Sequence, residues 1–318
     1  MSFQNASIRV TELIIDGFDT TENPVLVGVV ILIVYIVAVL ANIVNVFIII
    51  YDKKLHKPMH LLICNLAVVD LLYCSSASPT MIGVLVAGVK TISYVPCIIQ
   101  MYLFNLAGVM EAFALSFMAF DRLLAISRPF QYHSYLTNVR TLVLTYVLWI
   151  VACGFAAVFP AIVIPLPRCY SVLQYTFCSY GAVMRTTCAD SHALNYYFNL
   201  TAIVIFSISF CTFGFICLSY VGILYFVKFS SNNDKMKIGS TCLSHLIVVT
   251  CYYVPMFVIA ILTRFGVVLT LKERNGLLIG MILGPSVVNP FVYCLRTKEI
   301  KNEIIHMFKK FRHLIRFW

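Results

Sequence analysis

The sequence has little charge. Asp, Glu, Lys and Arg make up 11% of its 318 residues, against roughly 25% in soluble globular domains. This shortage excludes an ordinary soluble domain and predicts that lipid is the main solvent of the chain. Residues 1–23 contain no apolar core, so no signal peptide is expected. No repeat with a period of 20–50 residues and no low-complexity stretch occurs, and the connection at 230–237 is too short to hold an enzymatic domain.

What the sequence has instead is long apolar runs. A helix that crosses a bilayer needs about 20 such residues, and seven stretches qualify: 24–51, 58–89, 91–120, 141–167, 191–227, 238–263 and 275–295. Backbone groups in lipid must be bonded within the segment, so each stretch is predicted to be a helix. The predicted fold is an all-α membrane protein, a seven-transmembrane helix bundle with a short amphipathic C-terminal helix.

The basic residues predict the orientation of these spans. One set of connections, including the tail, holds 16 of the 23 lysines and arginines, and the positive-inside rule places that set in the cytoplasm. The net charge of +10 therefore indicates sidedness rather than nucleic-acid binding. We predict an extracellular N-terminal tail at 1–23, a seven-transmembrane domain at 24–295, and a cytoplasmic amphipathic helix and tail at 296–318 in the plasma membrane. Asn5 then becomes a glycosylation acceptor on the outer face.

Four of the polar residues inside the predicted spans are candidates for a polar core: Asn42, Asp70, Glu111 and Asn289. A carboxylate at mid-membrane is costly, so Asp70 and Glu111 are candidates for function. Two neighbouring carboxylates in lipid would share a proton or a cation such as Na⁺. The alternative is simple packing, with the amides as glue between helices.

Two helix ends carry unusual residues. Asp121 and Arg122 form an adjacent acid and base near the end of the third span, where they can pair, meet a headgroup or receive a partner protein. A helix end that snorkels into the headgroups is the simpler interpretation. Pro290, followed by Tyr293, permits a kink near the end of the seventh span, and the alternative there is a static kink.

Together with Trp149 and Cys97, these features resemble the rhodopsin-like G-protein-coupled receptors. Finer motifs resemble the olfactory receptors within that class, at 58–60 (PMH), 118–126 (MAFDRLLAI), 219–220 (SY), 237–246 (KIGSTCLSHL) and 285–300. The resemblance covers about residues 24–305. The loop cysteines and 263–266 (TRFG) resemble the fish-type, class I branch.

The resemblance implies an odorant receptor, not an enzyme, which binds a small molecule from outside and activates a stimulatory heterotrimeric G protein to raise cyclic AMP. The residues that it assigns to coupling and activation are Asp121, Arg122, Tyr220, Lys237, His245, Asn289, Pro290 and Tyr293. For His245 the alternative is a satisfied polar helix end. A non-olfactory chemosensory receptor is the second interpretation. A transporter is a distant third, because seven unrepeated spans lack the inverted repeats of that class.

Four cysteines lie in the predicted outer portions: Cys97, Cys169, Cys178 and Cys188. An oxidising exterior favours disulfides, and four cysteines allow three pairings. A metal site is the rival interpretation, although the spacing lacks a close cysteine pair. The resemblance implies the pairs Cys97–Cys178 and Cys169–Cys188, which would make the second outer loop a stiff lid.

The resemblance also implies a mainly apolar ligand site between the third, fifth and sixth spans. Its members are Phe104, Asn105, Gly108, Val109, Val204, Ile205, Ile208, Tyr253, Met256, Phe257, Ala260 and Arg264. Phe104 stands where amine receptors carry an acid, which disfavours amines as ligands. Arg264 matches a position where some fish-type receptors hold a carboxylate, so carboxylic acids are the hypothesis. An arginine that snorkels to the surface is the alternative.

The tail after Arg296 alternates basic and apolar residues, including Lys301, Ile304, Phe308 and Arg312. This pattern predicts an amphipathic helix on the anionic inner leaflet, so membrane lipid is an expected partner. A calmodulin-type target helix is the alternative.

Overall fold

The structure of the chain is a computed structural model that describes residues 12–18, 22–228, 232–265, 267, 269–296 and 299–305. Within its helices, the side chains at 232–234, 237, 240, 241, 263, 264 and 294–296 are not described. The predictions for Asn5 and for the tail after residue 305 therefore lie outside the described residues, as do those for the side chains of Lys237 and Arg264.

Helices account for most of the described chain: α1 (Pro24–Tyr51), α2 (Pro58–Ala87), α3 (Tyr94–Ser127), α4 (Tyr132–Tyr135), α5 (Asn138–Val163), α6 (Tyr180–Met184), α7 (Ser191–Lys228), α8 (Asn232–Arg264) and α9 (Leu271–Arg296). Seven of these, all but α4 and α6, are long and apolar enough to cross a membrane. The predicted seven-helix membrane bundle is confirmed.

Local chemistry explains where several helices begin and end. α2 begins at Pro58, where the missing amide hydrogen costs nothing, and Gly88 ends it in the left-handed conformation with φ of 67°. The sequence predicted a longer helix, to Val89. α3 continues beyond the apolar stretch 91–120 to Ser127, because the polar pair Asp121-Arg122 does not oppose helix formation. It ends where Pro129 disfavours helix at Arg128.

A small sheet lies at one end of the bundle and was not predicted from the sequence. Its strands are β1 (Glu12–Ile15), β2 (Thr91–Ser93) and β3 (Val172–Leu173), with β1 in the centre. β1 is antiparallel to β2 and parallel to β3. We call this end of the bundle the sheet end, and the opposite end, where Asp121 and Arg122 lie, the Arg122 end.

The core sits in two main clusters, one towards each end. The cluster at the sheet end joins strand residues Leu13 and Ile15 to Cys97, Phe177 and Cys178. The cluster at the Arg122 end contains Leu115, Met118, Tyr253 and Tyr293. α1 and α5 carry long exposed apolar faces, as expected of helices that meet lipid.

Residues 299–305 are helical, and Ile300 is fully buried against the cluster at the Arg122 end while Lys301 is exposed. This one-sided burial agrees with an amphipathic segment. The predicted helix over the whole of 296–318 stays a prediction.

Candidate functional site

A cavity of about 550 Å³ opens between α7, α8 and α9 near the sheet end. This volume lies within the usual range for a small-molecule site. The lining is mostly apolar and aromatic, and it comprises Tyr175, Arg185, Phe198, Asn199, Ala202, Ile205, Phe206, Ser209, Met256, Phe257, Ile259, Ala260, Leu278 and Met281. Arg185 is the single charged side chain in this lining, as far as the described residues go.

Four of the predicted ligand residues line this cavity: Ile205, Met256, Phe257 and Ala260. The fifth and sixth spans therefore present the expected faces to each other. Of the other eight, the side chain of Arg264 is not described, and seven do not appear in the described lining: Val204, Ile208, Tyr253 and the α3 set, which comprises Phe104, Asn105, Gly108 and Val109. The contact of all eight with a ligand stays a prediction.

Two predicted ligand residues of α3, Phe104 and Asn105, make contacts within the protein. The ring of Phe104 lies 5.1 Å from that of Tyr73 and 4.9 Å from that of Phe177. The amide of Asn105 donates to the carbonyl of Met101 within the same helix at 2.7 Å. The aromatic stack therefore packs between α2, α3 and the loop after α5.

Sequence reasoning missed the lining residues from the loop after α5 and from α9. Tyr175 and Arg185 belong to that loop, and Leu278 and Met281 belong to α9. Loop residues carry no periodic pattern, so the sequence offered no signal for Tyr175. The charge of Arg185 in an otherwise apolar chain was the one signal available.

Aromatic rings of α7 and α8 pack against one another beside the cavity. The ring of Phe257 lies 5.2 Å from Phe213 and 6.1 Å from Phe210. The hydroxyl of Tyr253 also donates to Thr212 at 2.7 Å. These contacts join α7 to α8 and fix the orientation of the rings that a ligand would meet.

Both predicted disulfides are present, as Cys97–Cys178 and Cys169–Cys188. The first ties α3 to the loop that supplies Tyr175 and Arg185. The backbone N–H of Cys178 also donates to the side chain of Gln100 at 2.9 Å. The loop is therefore held over the sheet end by covalent and polar contacts together.

A buried polar core lies near the middle of the bundle. The amide of Asn289 donates to both carboxylate oxygens of Asp70 at 3.0 Å, and the amide of Asn42 donates to the carbonyl of Ser286 at 2.8 Å. These bonds join α1, α2 and α9. Asn289 is thus bonded directly to Asp70, and Asn42 is connected to Asp70 through Ser286.

Glu111, the fourth residue, contributes the unusual feature of this core. Its side chain is fully buried, and neither carboxylate oxygen has a hydrogen-bond partner among the described residues; the same holds for the side-chain oxygen of Asn289. Buried oxygen atoms that accept no hydrogen bond are suitable ligands for a hard cation, and carboxylates among them can share a proton. The residues present therefore fit the predicted site for Na⁺ or a proton.

At the Arg122 end, the side chains of Asp121 and Arg122 contact each other, and Asp121 also contacts Tyr132. The guanidinium of Arg122 lies 4.0 Å from the carboxylate of Asp121, and the hydroxyl of Tyr132 donates to the same carboxylate at 2.5 Å. Burial and the nearby Asp121 raise the pKa of Tyr132, so its hydroxyl stays a donor. The Arg122 side chain is only 11% exposed, so this end of the bundle is closed over it.

His245 ties α8 to two other helices at this end. One ring nitrogen, Nε2, lies 3.0 Å from the carbonyl oxygen of Leu115 on α3, and Nδ1 lies 2.9 Å from the hydroxyl of Tyr220 on α7. The rings of His245 and Tyr220 also stack. Tyr293 is buried nearby, with its hydroxyl 3.8 Å from the sulfur of Met118.

Comparison with known proteins decides the family. The sequence profile described as olfactory receptor matches residues 31–310. Olfactory receptor 51E2 of Homo sapiens is 33% identical over 285 residues, which cover 89% of this chain and 88% of the relative. The Mus musculus protein of the same name is 32% identical over 86% of each chain, and olfactory receptor 10G4 of Homo sapiens is 31% identical over 97% of this chain and 98% of the relative. The chain belongs to the olfactory receptor family.

The family membership agrees with the seven membrane-length helices of this olfactory receptor and indicates an odorant-sensing G-protein-coupled receptor rather than an enzyme. The prediction of the family from its motifs is confirmed. Assignment to the fish-type class I branch stays a prediction.

The coupling residues predicted for this olfactory receptor fall together at the Arg122 end. Arg122, Tyr220, His245 and Tyr293 all lie there on four different helices, and Pro290 lies within α9, one turn before Tyr293. Asn289 instead belongs to the polar core. Whether these residues contact a G protein stays a prediction.

Proposed function

We propose that this olfactory receptor binds a small odorant in the cavity at its sheet end and then activates a stimulatory heterotrimeric G protein at its Arg122 end, raising cyclic AMP. The observation that carries the proposal is that α7 and α8 line the cavity and also hold the His245–Tyr220 contact. In this proposal the sheet end and the N-terminus face outside at the plasma membrane, and lipid covers the exposed apolar faces of α1 and α5.

The proposed ligand is a small carboxylic acid. Arg185 brings a cation to a lining that holds no acid among the described residues. A guanidinium can bind a carboxylate through two parallel hydrogen bonds, and the apolar remainder of the cavity suits a short hydrocarbon chain. Arg264, at the end of α8, is the second candidate for the same role, as its sequence position implies.

Activation in this proposal is a shift between two packings of α8. The nearly buried Arg122 belongs to a closed arrangement, in which His245 bonds α8 to α3. A ligand that binds better when α8 has moved outward increases the population of the open arrangement, in which Arg122 becomes accessible to a G protein. The differential affinity of the ligand for the two packings sets the size of the response.

The polar core is proposed to hold Na⁺ or a shared proton. Asp70, Glu111 and the side-chain oxygen of Asn289 would supply the oxygens, and a bound cation would neutralise their charge. Because these residues join α2, α3 and α9, occupancy of the site would favour one relative position of those helices.

The test measures cyclic AMP in cells that display the receptor, challenged with pooled small acids, alcohols, ketones and amines. We expect acids to raise cyclic AMP, and Arg122→Ala to abolish the rise at equal surface level. Arg185→Ala should weaken the response to acids at least tenfold, since a charge-assisted contact is lost, whereas Arg185→Lys should retain part of it. Arg264→Ala, made in parallel, tests the second arginine.

Several outcomes would overturn parts of the proposal. A wild-type receptor at the surface that answers no pool would contradict the odorant function as stated, and a response through another second messenger would contradict the stimulatory coupling. An unchanged response to acids in both arginine variants would remove the carboxylate assignment while leaving the receptor function in place.

A further inference from the structure

The N-terminal segment 12–18 is built into the sheet end rather than lying on it. Strand β1 is the central strand, so it is bonded on both sides. The backbone N–H of Ile14 donates to the carbonyl of Ser171 and that of Ile15 donates to the carbonyl of Lys90, each at 2.7 Å. Leu13 and Ile15 point into the core and are at most 1% exposed. A segment held this way joins the loop before α3 to the loop after α5.

Gly17 marks the closest approach of this segment to the loop that lines the cavity. A Cβ atom at Gly17 would lie 2.2 Å from the carbonyl carbon of Tyr175 and 2.6 Å from the backbone nitrogen of Thr176. Real Cβ atoms do not approach backbone atoms so closely, so only glycine fits here without a shift of the loop. On its other side, the carbonyl of Gly17 accepts a hydrogen bond from the amide of Asn275 on α9 at 2.7 Å.

Tyr175 is the residue through which this contact reaches the cavity, whose wall it forms in part. Its ring also lies 4.3 Å beneath the guanidinium carbon of Arg274 on α9, and Arg274 donates to the carbonyl of Gln174 at 2.6 Å. The stretch 174–176 is therefore fixed between the N-terminal segment and the first turns of α9. Displacing the segment changes the position of a lining residue that is remote from it in sequence.

We infer that the segment 12–18 is a positioning element of the ligand site: through Gly17 it sets the place of Tyr175 in the cavity wall and so determines ligand potency. The alternative role is that of a passive cap, which would stabilise the fold without affecting recognition. The two roles differ because a cap changes the amount of folded receptor, whereas a positioning element changes the concentration of ligand needed at equal receptor level.

The placement of the segment is tested first by a designed disulfide. Ile14 and Thr91 are direct partners across β1 and β2, and both side chains are exposed. We expect Ile14→Cys with Thr91→Cys to form a disulfide in the full-length receptor at the cell surface, detected by mass spectrometry of unreduced peptides. The control pair, Ile14→Cys with Ile92→Cys, places the second sulfur on the opposite face of β2. Equal yields from the two pairs would overturn the placement.

The role of the segment is then tested by potency. Gly17→Ala forces Tyr175 to move, and we expect the half-maximal concentration of an active small acid to rise about tenfold or more at matched surface level. Gly181→Ala is the matched control, because its Cβ would meet the hydroxyl of the same Tyr175 at an ordinary 3.5 Å. Should Gly17→Ala fail to reach the surface, Asn275→Ala removes the bond to Gly17 without a clash, and a rise of a few fold is expected.

The potency measurement rests on the proposed function, and the two can fail separately. Unchanged potency in Gly17→Ala and Asn275→Ala, against a responding wild type, would overturn the positioning role and leave the odorant function standing. A wild-type receptor without any response would contradict the proposed function, and the assignment of segment 12–18 would then be decided by the disulfide pair.

Discussion

His245 provides the sharpest test of how the Arg122 end is held closed. We predict that His245→Phe raises signalling in the absence of any odorant. Phenylalanine keeps a ring that can stack on Tyr220, but it removes both polar contacts of the imidazole, to the carbonyl of Leu115 and to the Tyr220 hydroxyl. The Leu115 carbonyl lies inside helix α3 and keeps its backbone partner, so the substitution leaves no buried carbonyl unbonded.

The size of the effect follows from the two lost contacts. A typical intramolecular hydrogen bond contributes about 0.5–1.5 kcal/mol net, so two contribute about 1–3 kcal/mol to the closed packing if they are absent from the open one. That free energy changes the ratio of the two packings by about 5- to 150-fold. From an open population of about 1%, basal activity would rise to between about 5% and 60% of the maximum.

The assay is basal cyclic AMP normalised to receptor at the surface. Tyr220→Phe is the comparison variant, since it leaves the bond to Leu115 but removes the Tyr220 hydroxyl, which contacts both Nδ1 of His245 and the carbonyl of Cys242 on α8. The loss of one to two contacts of about 0.5–1.5 kcal/mol each also predicts a rise in basal activity. Basal activity that stays constant or falls in His245→Phe at normal surface level would refute the reasoning, because it would mean that these contacts persist in the open packing.

Three further predictions concern other parts of the receptor. Cys169→Ser opens the loop closed by Cys188, across 19 residues, and should lower stability by roughly 3 kcal/mol, seen as a lower melting temperature of the purified receptor. Glu111→Gln should abolish any difference in melting temperature between sodium and choline chloride that the wild type shows. Lys272 holds the pKa of Glu22 below its usual range, so any contribution of their ion pair to stability is present above the ordinary glutamate pKa and is lost as the pH falls through the lowered one. Because both side chains are exposed, that contribution is small, and Lys272→Ala should leave the melting temperature unchanged at neutral pH.

The membrane helices could be predicted from the sequence because hydropathy is a local property. Each span needs only its own apolar residues, and the first helix lies at Pro24–Tyr51 as predicted. The ends were less accurate, as at the second span, whose helix ends at Ala87 and not at the predicted Val89. The disulfide pairs came from family resemblance, since four cysteines by themselves allow three pairings.

The ligand cavity was predictable only in part. The family resemblance assigned Met256, Phe257 and Ala260 to the ligand site, and their face of the sixth span does line the cavity. Periodicity cannot tell which neighbour covers a face, and for Phe104 the neighbours are Tyr73 and Phe177. The loop residues could not be found this way, because tertiary contacts rather than a repeating pattern place them.

Strand β1 shows a different reason for a missed element. Its four residues, ELII, offer only two alternations, which is too short a signal to distinguish a strand from a tail. Its partners lie about 80 and 160 residues away in the chain, at β2 and β3. The burial of Leu13 and Ile15 depends on these two distant loops, and local sequence therefore could not predict it.

The interface between α7 and α8 connects the cavity to the Arg122 end through a series of polar side-chain contacts. Ser209 contacts the sulfur of the lining residue Met256 at 3.5 Å, and the Tyr253 hydroxyl bonds Thr212 at 2.7 Å. The same two helices then meet at Tyr220 and His245. Met256 and His245 are 11 residues apart, or about 16 Å along a helix.

We predict that a ligand that moves α8 away from α7 at the cavity breaks the Tyr253–Thr212 contact before it affects the contact between His245 and Tyr220. If the contacts act in series, Thr212→Val should weaken the bond between the helices and raise basal cyclic AMP, in the same direction as His245→Phe. Basal cyclic AMP in the double variant should then be higher than in either single variant. Its fold-increase should be smaller than the product of the two single fold-increases, because both substitutions loosen one interface. Full multiplication would mean that the cavity and the Arg122 end are controlled by separate contacts.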